Sequence, residues 1–251
     1  MPSDEPFERS ARPPRAASFR ILSLTTDDPG LVALLRRWDW IARSLLSRGV
    51  SPPTRARLLD WRRIGGELLA VLEGQEDGEG APAERLVRAA VHRGEIQAVA
   101  TIFLCRRAAF VELLVSAPWN LLGPDDPPDA RAVRGAARAL VGAASALGRA
   151  GGARGRVALQ AENPRCQELY ERMGFTVMRP SDAPLALVPR GKKGWSAPVV
   201  RLARGEAGPE ERRAPWMIYD PDRRRLRAAV ARPGRIAGGA AAGAAAGAAG
   251  G

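Results

Sequence analysis

The chain has 251 residues, 39 Lys and Arg against 27 Asp and Glu, 45% hydrophobic residues, two cysteines and one histidine. That apolar fraction excludes disorder throughout, and the lack of any apolar run of about 18 residues leaves no candidate for a membrane-spanning helix. Cys105 and Cys166 are too few and too far apart for a disulfide framework or a thiolate metal site, and His92 alone argues against a His-rich metal site or a Ser/His/Asp triad.

The basic residues are almost all arginine, since only Lys192 and Lys193 are lysine. The positive balance suits an anionic ligand such as a nucleotide, a phosphorylated cofactor or a nucleic acid, without choosing among them. Residues 1–17 are Pro- and charge-rich without apolar periodicity and read as a disordered tail. They contain no apolar leader segment, so the expected location is intracellular and cytoplasmic; their Arg and Ser content leaves organelle import open.

Phe19–Ser23 alternates and predicts a strand. Asp27 and Asp28 before Pro29 mark a helix start, and Leu31–Leu46 follows helical spacing until Gly49, Pro52 and Pro53. A second helix is expected from about Thr54 to Leu72, then an acidic, turn-rich loop over 73–83. Three strands follow, Arg85–His92, Ile96–Cys105 and Ala109–Ser116, joined by short polar connectors as in an antiparallel meander. Ala117-Pro118-Trp119-Asn120 stops the third, and a Pro-rich loop leads to a helix expected over Ala130–Leu147. Val157–Ala161 predicts a strand. Asn163 with Pro164 reads as the cap and first position of a helix reaching Met173, with Gly174 as its stop. Phe175–Met178 and Val199–Leu202 complete the strand candidates. The order predicts one mixed α/β domain over 18–202. A basic Arg-rich extension over 203–236 and an Ala/Gly low-complexity tail over 237–251 follow it, the short piece Pro215–Tyr219 being apolar enough to dock on the domain.

Two segments carry the chemistry. Arg134-Gly135-Ala136-Ala137-Arg138 opens the Ala-rich helix, where small residues let backbone N–H groups approach an anion and the helix dipole favours negative charge. Arg131, Arg134 and Arg138 add cationic groups; the same residues also suit an Ala-rich packing helix. The second segment is Asn163-Pro164-Arg165-Cys166-Gln167-Glu168-Leu169-Tyr170-Glu171-Arg172-Met173-Gly174-Phe175.

With its flanking strands, this second segment resembles the C-terminal half of the acyl-CoA N-acyltransferases of the GNAT superfamily. The Arg134–Ala137 stretch falls where that family has its CoA loop, Gln/Arg-x-x-Gly-x-Gly/Ala, with Ala132 at the Gln/Arg position. Glu112–Asn120 is similar to a branch in which the fourth strand ends in Ala-Pro-Trp-Asn. The resemblance covers residues 19 to about 202. It implies a single α/β domain whose mixed central sheet splays between its fourth and fifth strands, with helices on both faces and disordered ends. It implies an N-acyltransferase that moves an acetyl or other acyl group from acetyl-CoA to an amine, of a small molecule or a protein, by direct attack in a ternary complex. Backbone groups near Leu114, Val115 and Ser116 would hold the pantetheine arm and polarise the thioester, and the N–H groups of Arg134–Arg138 would hold the pyrophosphate. Tyr170 matches the tyrosine that protonates the departing thiolate, or else packs the core. Asn163 orients the arm or is a helix cap only. Glu112, taken to share a strand face with Leu114 and Ser116, is the candidate base, or else a salt-bridged strand residue. Trp38, Trp40 and Trp61 line an acceptor pocket or pack the core, and Cys166 reads as a structural thiol. The alternative is a GNAT-fold module of weak or no activity that binds CoA or a partner, with its basic tail contacting RNA.

Overall fold

A computed structural model describes residues 17–74, 85–105, 107–179, 182 and 214–223. Among the described residues seven strands form one sheet: β1 (Arg20–Leu24), β2 (Arg85–His92), β3 (Glu95–Leu104), β4 (Ala109–Ser116), β5 (Val157–Gln160), β6 (Thr176–Val177) and β7 (Trp216–Tyr219). The helices α1 (Pro29–Ser47), α2 (Pro52–Leu72), α3 (Ala136–Ala150) and α4 (Pro164–Met173) accompany them. A 3-10 turn, Pro118–Leu121, follows β4. The spatial order is β1-β2-β3-β4-β5-β7-β6. Neighbours run antiparallel except β4 and β5, which are parallel. This is the mixed α/β architecture that the sequence predicts.

The helices cover two faces because strand residues alternate. Val87, Ala89 and Val99 pack with Leu35, Trp38, Leu58, Trp61 and Leu68 of α1 and α2. Their neighbours Ala90, Ala98 and Ala100 pack with Leu140, Val141 and Ala144 of α3. Small residues on the second face let α3 lie close. Trp38 is fully buried, edge-on to Trp61 at 6.5 Å and to Trp119 at 6.0 Å. Trp38 and Trp61 are therefore core residues, while Trp40 stands 67% exposed on the outer side of α1.

Two positions break the alternation. Gln97 is skipped between the pairs Ala90↔Ala98 and Val91↔Ile96, and Glu112 between Thr101↔Leu113 and Ile102↔Val111. An extra residue in one strand of a pair turns the side chains beyond it to the opposite face.

Boundaries differ from expectation in two places. The α3 helix starts at Ala136 rather than Ala130, because residues ahead of it hold other partners. The Ala132 N–H donates to the Asp129 carbonyl, the Val133 N–H donates to Asn120 Oδ1, and Gly135 adopts φ +103°. The sheet does not end by residue 202. Trp216–Tyr219 is inserted between β5 and β6, and the compact unit reaches Asp220. Four apolar residues in an Arg- and Pro-rich stretch carry too little periodicity to mark an interior strand. The strand expected at Val199–Leu202 and nearly all of both tails lie outside the described residues. No described helix is long and apolar enough to cross a membrane.

Candidate active site

The site begins with a gap in the sheet. β4 has eight residues and β5 four, yet they pair only at Ala109↔Val157 and Phe110↔Ala158. Beyond these pairs the two parallel strands separate towards their C-terminal ends. On its other edge β4 stays bound to β3 as far as Ser116, and the Ala117 N–H donates to the Gln97 carbonyl. Alternation of hydrogen-bonding edges then turns the backbone groups of Leu114 and Ser116 towards the gap. The Ser116 carbonyl there accepts from Trp61 Nε1 at 2.6 Å. Val115 points its side chain into the core beneath α1 and α2.

The loop from β4 to α3 is fastened at both ends. Gln97, displaced at its bulge and buried, accepts from Trp119 Nε1 and Asn120 Nδ2 through Oε1, both at 3.0 Å. Asn120 Oδ1 in turn accepts from the Val133 N–H at 2.7 Å. Midway, Asp126 is 7% exposed and accepts from the Ser51 N–H, the Gly123 N–H and both hydroxyls of Ser51 and Thr54. Burial alone would push its pKa up, but the bonds from Thr54, Ser51 and Gly123 outweigh it and hold the carboxyl down at about 2. The Ala-Pro-Trp-Asn segment thus ties strand, core and loop together. Gln97 and Asp126 went unrecognised in the sequence. A Pro-flanked Asp signals a turn, and nothing in one sequence points to partners near residue 51.

This loop delivers the start of α3. Asp28 caps α1 and Asn163 caps α4, whereas no side chain caps α2 or α3. The cap position of α3 is Gly135, whose left-handed φ disfavours a side chain. The N–H groups of Ala136, Ala137 and Arg138 precede the first intrahelical donor, Ala139, which bonds the Gly135 carbonyl. Arg134 and Arg138 are exposed, and among the described residues neither has an ion pair. Arg131 differs: it is bound to Asp129 and lies over the Trp119 ring at 4.2 Å.

On the far side of the gap, β5 leads into α4. Asn163 Oδ1 accepts from the Cys166 N–H and its Nδ2 donates to Asp60, so both ends of the amide are engaged. Tyr170 packs, half-buried, against the cluster that holds Val111 of β4 and Leu159 and Ala161 around the end of β5. Its ring lies 5.6 Å from that of Phe175. Burial, with the charges of Cys166 and Glu162 adding to it, pushes the phenol well above its usual pKa. Among the described residues none hydrogen-bonds its hydroxyl. A phenol held neutral is a proton donor. Burial likewise raises Cys166, and pushes Cys105 up to about 11, so neither thiol is activated.

Glu112 stands apart from these groups. Its oxygens accept from Arg85 Nε at 2.8 Å and Nη2 at 2.9 Å, and its side chain is 4% exposed. Arg85 also lies over the Phe103 ring at 5.2 Å. The bulge puts Glu112 on this face, opposite Val111 and Leu114, so the expected shared face with Leu114 and Ser116 does not form. One hydrophobic cluster thus includes Ala136 at the start of α3 and has Leu114 of β4 and Tyr170 packed against it, while Glu112 lies in a buried ion pair. Among the described residues no cluster of His, Cys, Asp and Glu has the arrangement of a metal site.

No protein-family profile and no curated protein matches the sequence. Solved structures to which the chain is similar include PaiA N-acetyltransferase from Thermoplasma acidophilum in complex with coenzyme A. That likeness has 13% identity and a TM-score of 0.39, over 81% of this chain and 99% of the other. An acetyltransferase from Thermus thermophilus is similar at 15% identity and a TM-score of 0.38, over 81% and 97%. An acetyltransferase of the GNAT family from Streptococcus pneumoniae is similar at 18% identity and a TM-score of 0.34, over 64% and 86%.

Proposed function

We propose that the chain is an acyl-CoA-dependent N-acyltransferase that moves an acetyl group from acetyl-CoA to an amine by direct attack. The observation that carries this reading is the open joint between β4 and β5, with an uncapped helix start on one side and a neutral tyrosine on the other. An extended pantetheine arm needs an unpaired strand edge, and the backbone of Leu114 and Ser116 offers one. A pyrophosphate needs convergent N–H groups and positive charge. Residues Gly135 to Arg138, with the Arg134 and Arg138 guanidiniums, supply both.

In this mechanism the amine nitrogen attacks the thioester carbonyl carbon while a β4 N–H at the gap supports the developing oxyanion. The C–S bond then breaks, and the thiolate takes its proton from the Tyr170 hydroxyl. The proton lost by the amine goes to water or, as the sequence suggests, to Glu112. The bidentate contact with Arg85, which must loosen before Glu112 can take a proton, favours water. Asn163 acts by holding the start of α4, its Oδ1 on the Cys166 N–H and its Nδ2 on Asp60.

The test is calorimetric titration of the full chain with acetyl-CoA, followed by thiol release from acetyl-CoA across a panel of amines. Binding with amine-dependent thiol release is the expected result. Binding without turnover would instead identify a CoA-binding module, and absence of binding would refute the reading.

A further inference from the structure

Nothing within the sheet fixes the width of the gap, because β4 and β5 share no hydrogen bonds beyond their first two pairs. One stretch of α2 spans it. Trp61 donates to the Ser116 carbonyl on the β4 side. On the other side, Asp60 Oδ2 accepts from Asn163 Nδ2 and from Arg165 Nη2, both at 2.9 Å. Arg63 Nη2 donates to Glu162 Oε2 at 2.6 Å. Neighbouring residues of one helix thus grip the end of β4 and the start of α4.

Resting on the transferase reading above, we propose that Asp60 is a positioning residue for the acyl transfer, acting through the start of α4 to set Tyr170 against the β4 edge. Tyr170 lies seven residues along α4 from Asn163, about 10 Å at the helical rise. A tilt of roughly 10° about that end moves the tyrosine by about 2 Å on the same helical geometry. Misplacement of about 1 Å is enough to cost some 10²-fold in rate. The links themselves are exposed, with 40% of the Asp60 and 42% of the Arg165 side chain accessible, so they add little to stability. Their effect is expected in the rate of the chemical step, while the acetyl-CoA site at the start of α3 stays intact.

The experiment compares wild type, Asp60→Ala, Arg165→Ala and the exchanged pair Asp60→Arg with Arg165→Asp, all as full chains. Turnover is read by thiol release, acetyl-CoA affinity by calorimetry and folding by the thermal midpoint. The expected result is a kcat for Asp60→Ala at least about tenfold lower, with affinity within twofold and a midpoint within a few degrees of wild type. Arg165→Ala falls in the same direction and serves if Asp60→Ala does not fold. The exchanged pair restores the ion pair but not the acceptor for Asn163 Nδ2, so it recovers part of the lost kcat and exceeds both single variants. Wild-type kcat in both single variants, or an exchanged pair no faster than either single variant, would overturn the positioning role. A wild type that neither binds nor turns over acetyl-CoA refutes the transferase reading instead, so the two failures are distinct.

Discussion

Asp126→Asn tests whether a buried carboxylate pins the loop that delivers the start of α3. The carboxylate accepts bonds from Ser51, Thr54 and Gly123, and its pKa falls from an ordinary 3.8 to about 2. A fall of just under two units corresponds to about 2 kcal/mol of folding stability at neutral pH. The sign follows from the direction of the fall. The stability is complete above the unfolded carboxylate's pKa, near 4, and is lost as pH drops through about 2. An amide of the same shape offers one accepting oxygen and turns its NH₂ towards donors. The variant should therefore unfold roughly 4–8 °C lower at pH 7 for a domain of this size. The assay is denaturant unfolding of both proteins from pH 7 to pH 2, read as the difference between them. That difference should hold between pH 7 and 5 and shrink towards pH 2. A constant difference throughout, or none at pH 7, would refute the reasoning.

Three further expectations concern the site. Tyr170→Phe keeps the ring contact with Phe175 and should lower turnover about 10²-fold with acetyl-CoA affinity nearly unchanged; equal thiol release by the folded variant would remove the hydroxyl from the mechanism. Gly135→Glu should weaken acetyl-CoA binding by several kcal/mol through like-charge repulsion and lost backbone approach. Gly135→Ala separates this from the strain of a side chain at φ +103°, a stability loss of about 1–2 kcal/mol. Gln97→Leu strips Trp119 Nε1 of its acceptor, at roughly 1–3 kcal/mol for a buried donor left unmatched, while Asn120 Nδ2 keeps its bond to the main-chain carbonyl of residue 97; an unchanged denaturant midpoint would show that the Gln97 side chain is not what holds the loop.

What could be read from the sequence was local. Asn163 followed by Pro164, with Gly174 ten residues after Pro164, announces a capped helix because each signal acts on its own turn of backbone. The position of Gly135 was legible for the same reason, although the six residues ahead of α3 were read as helix. The misreadings arose where a distant partner decides the outcome. Glu112 sits in a stretch whose alternation looks unbroken, and only the register with β3 reveals a bulge that turns it towards Arg85. Asp126, Gln97 and Asp60 draw their roles from residues 22 to 105 positions away. Trp38 and Trp61 were visible as aromatic residues on helices, but whether they face a pocket or a core depends on what packs against them.

The insertion of Trp216–Tyr219 between β5 and β6 has a consequence for how the molecule is made. A chain leaving the ribosome presents β1 to β4 and α3 early, with partners already synthesised. The strands β5 and β6 emerge without their common neighbour, which comes about forty residues after β6. Until it arrives, β6 has only two residues and no partner strand, and one edge of β5 is bare, so the half of the sheet that carries α4 and Tyr170 has no closed hydrogen-bond ladder. Such a non-local closing step is slow and exposes strand edges while it waits. The N-terminal half can thus be assembled during translation, whereas the arrangement around Tyr170 must wait until the chain has been synthesised past residue 219.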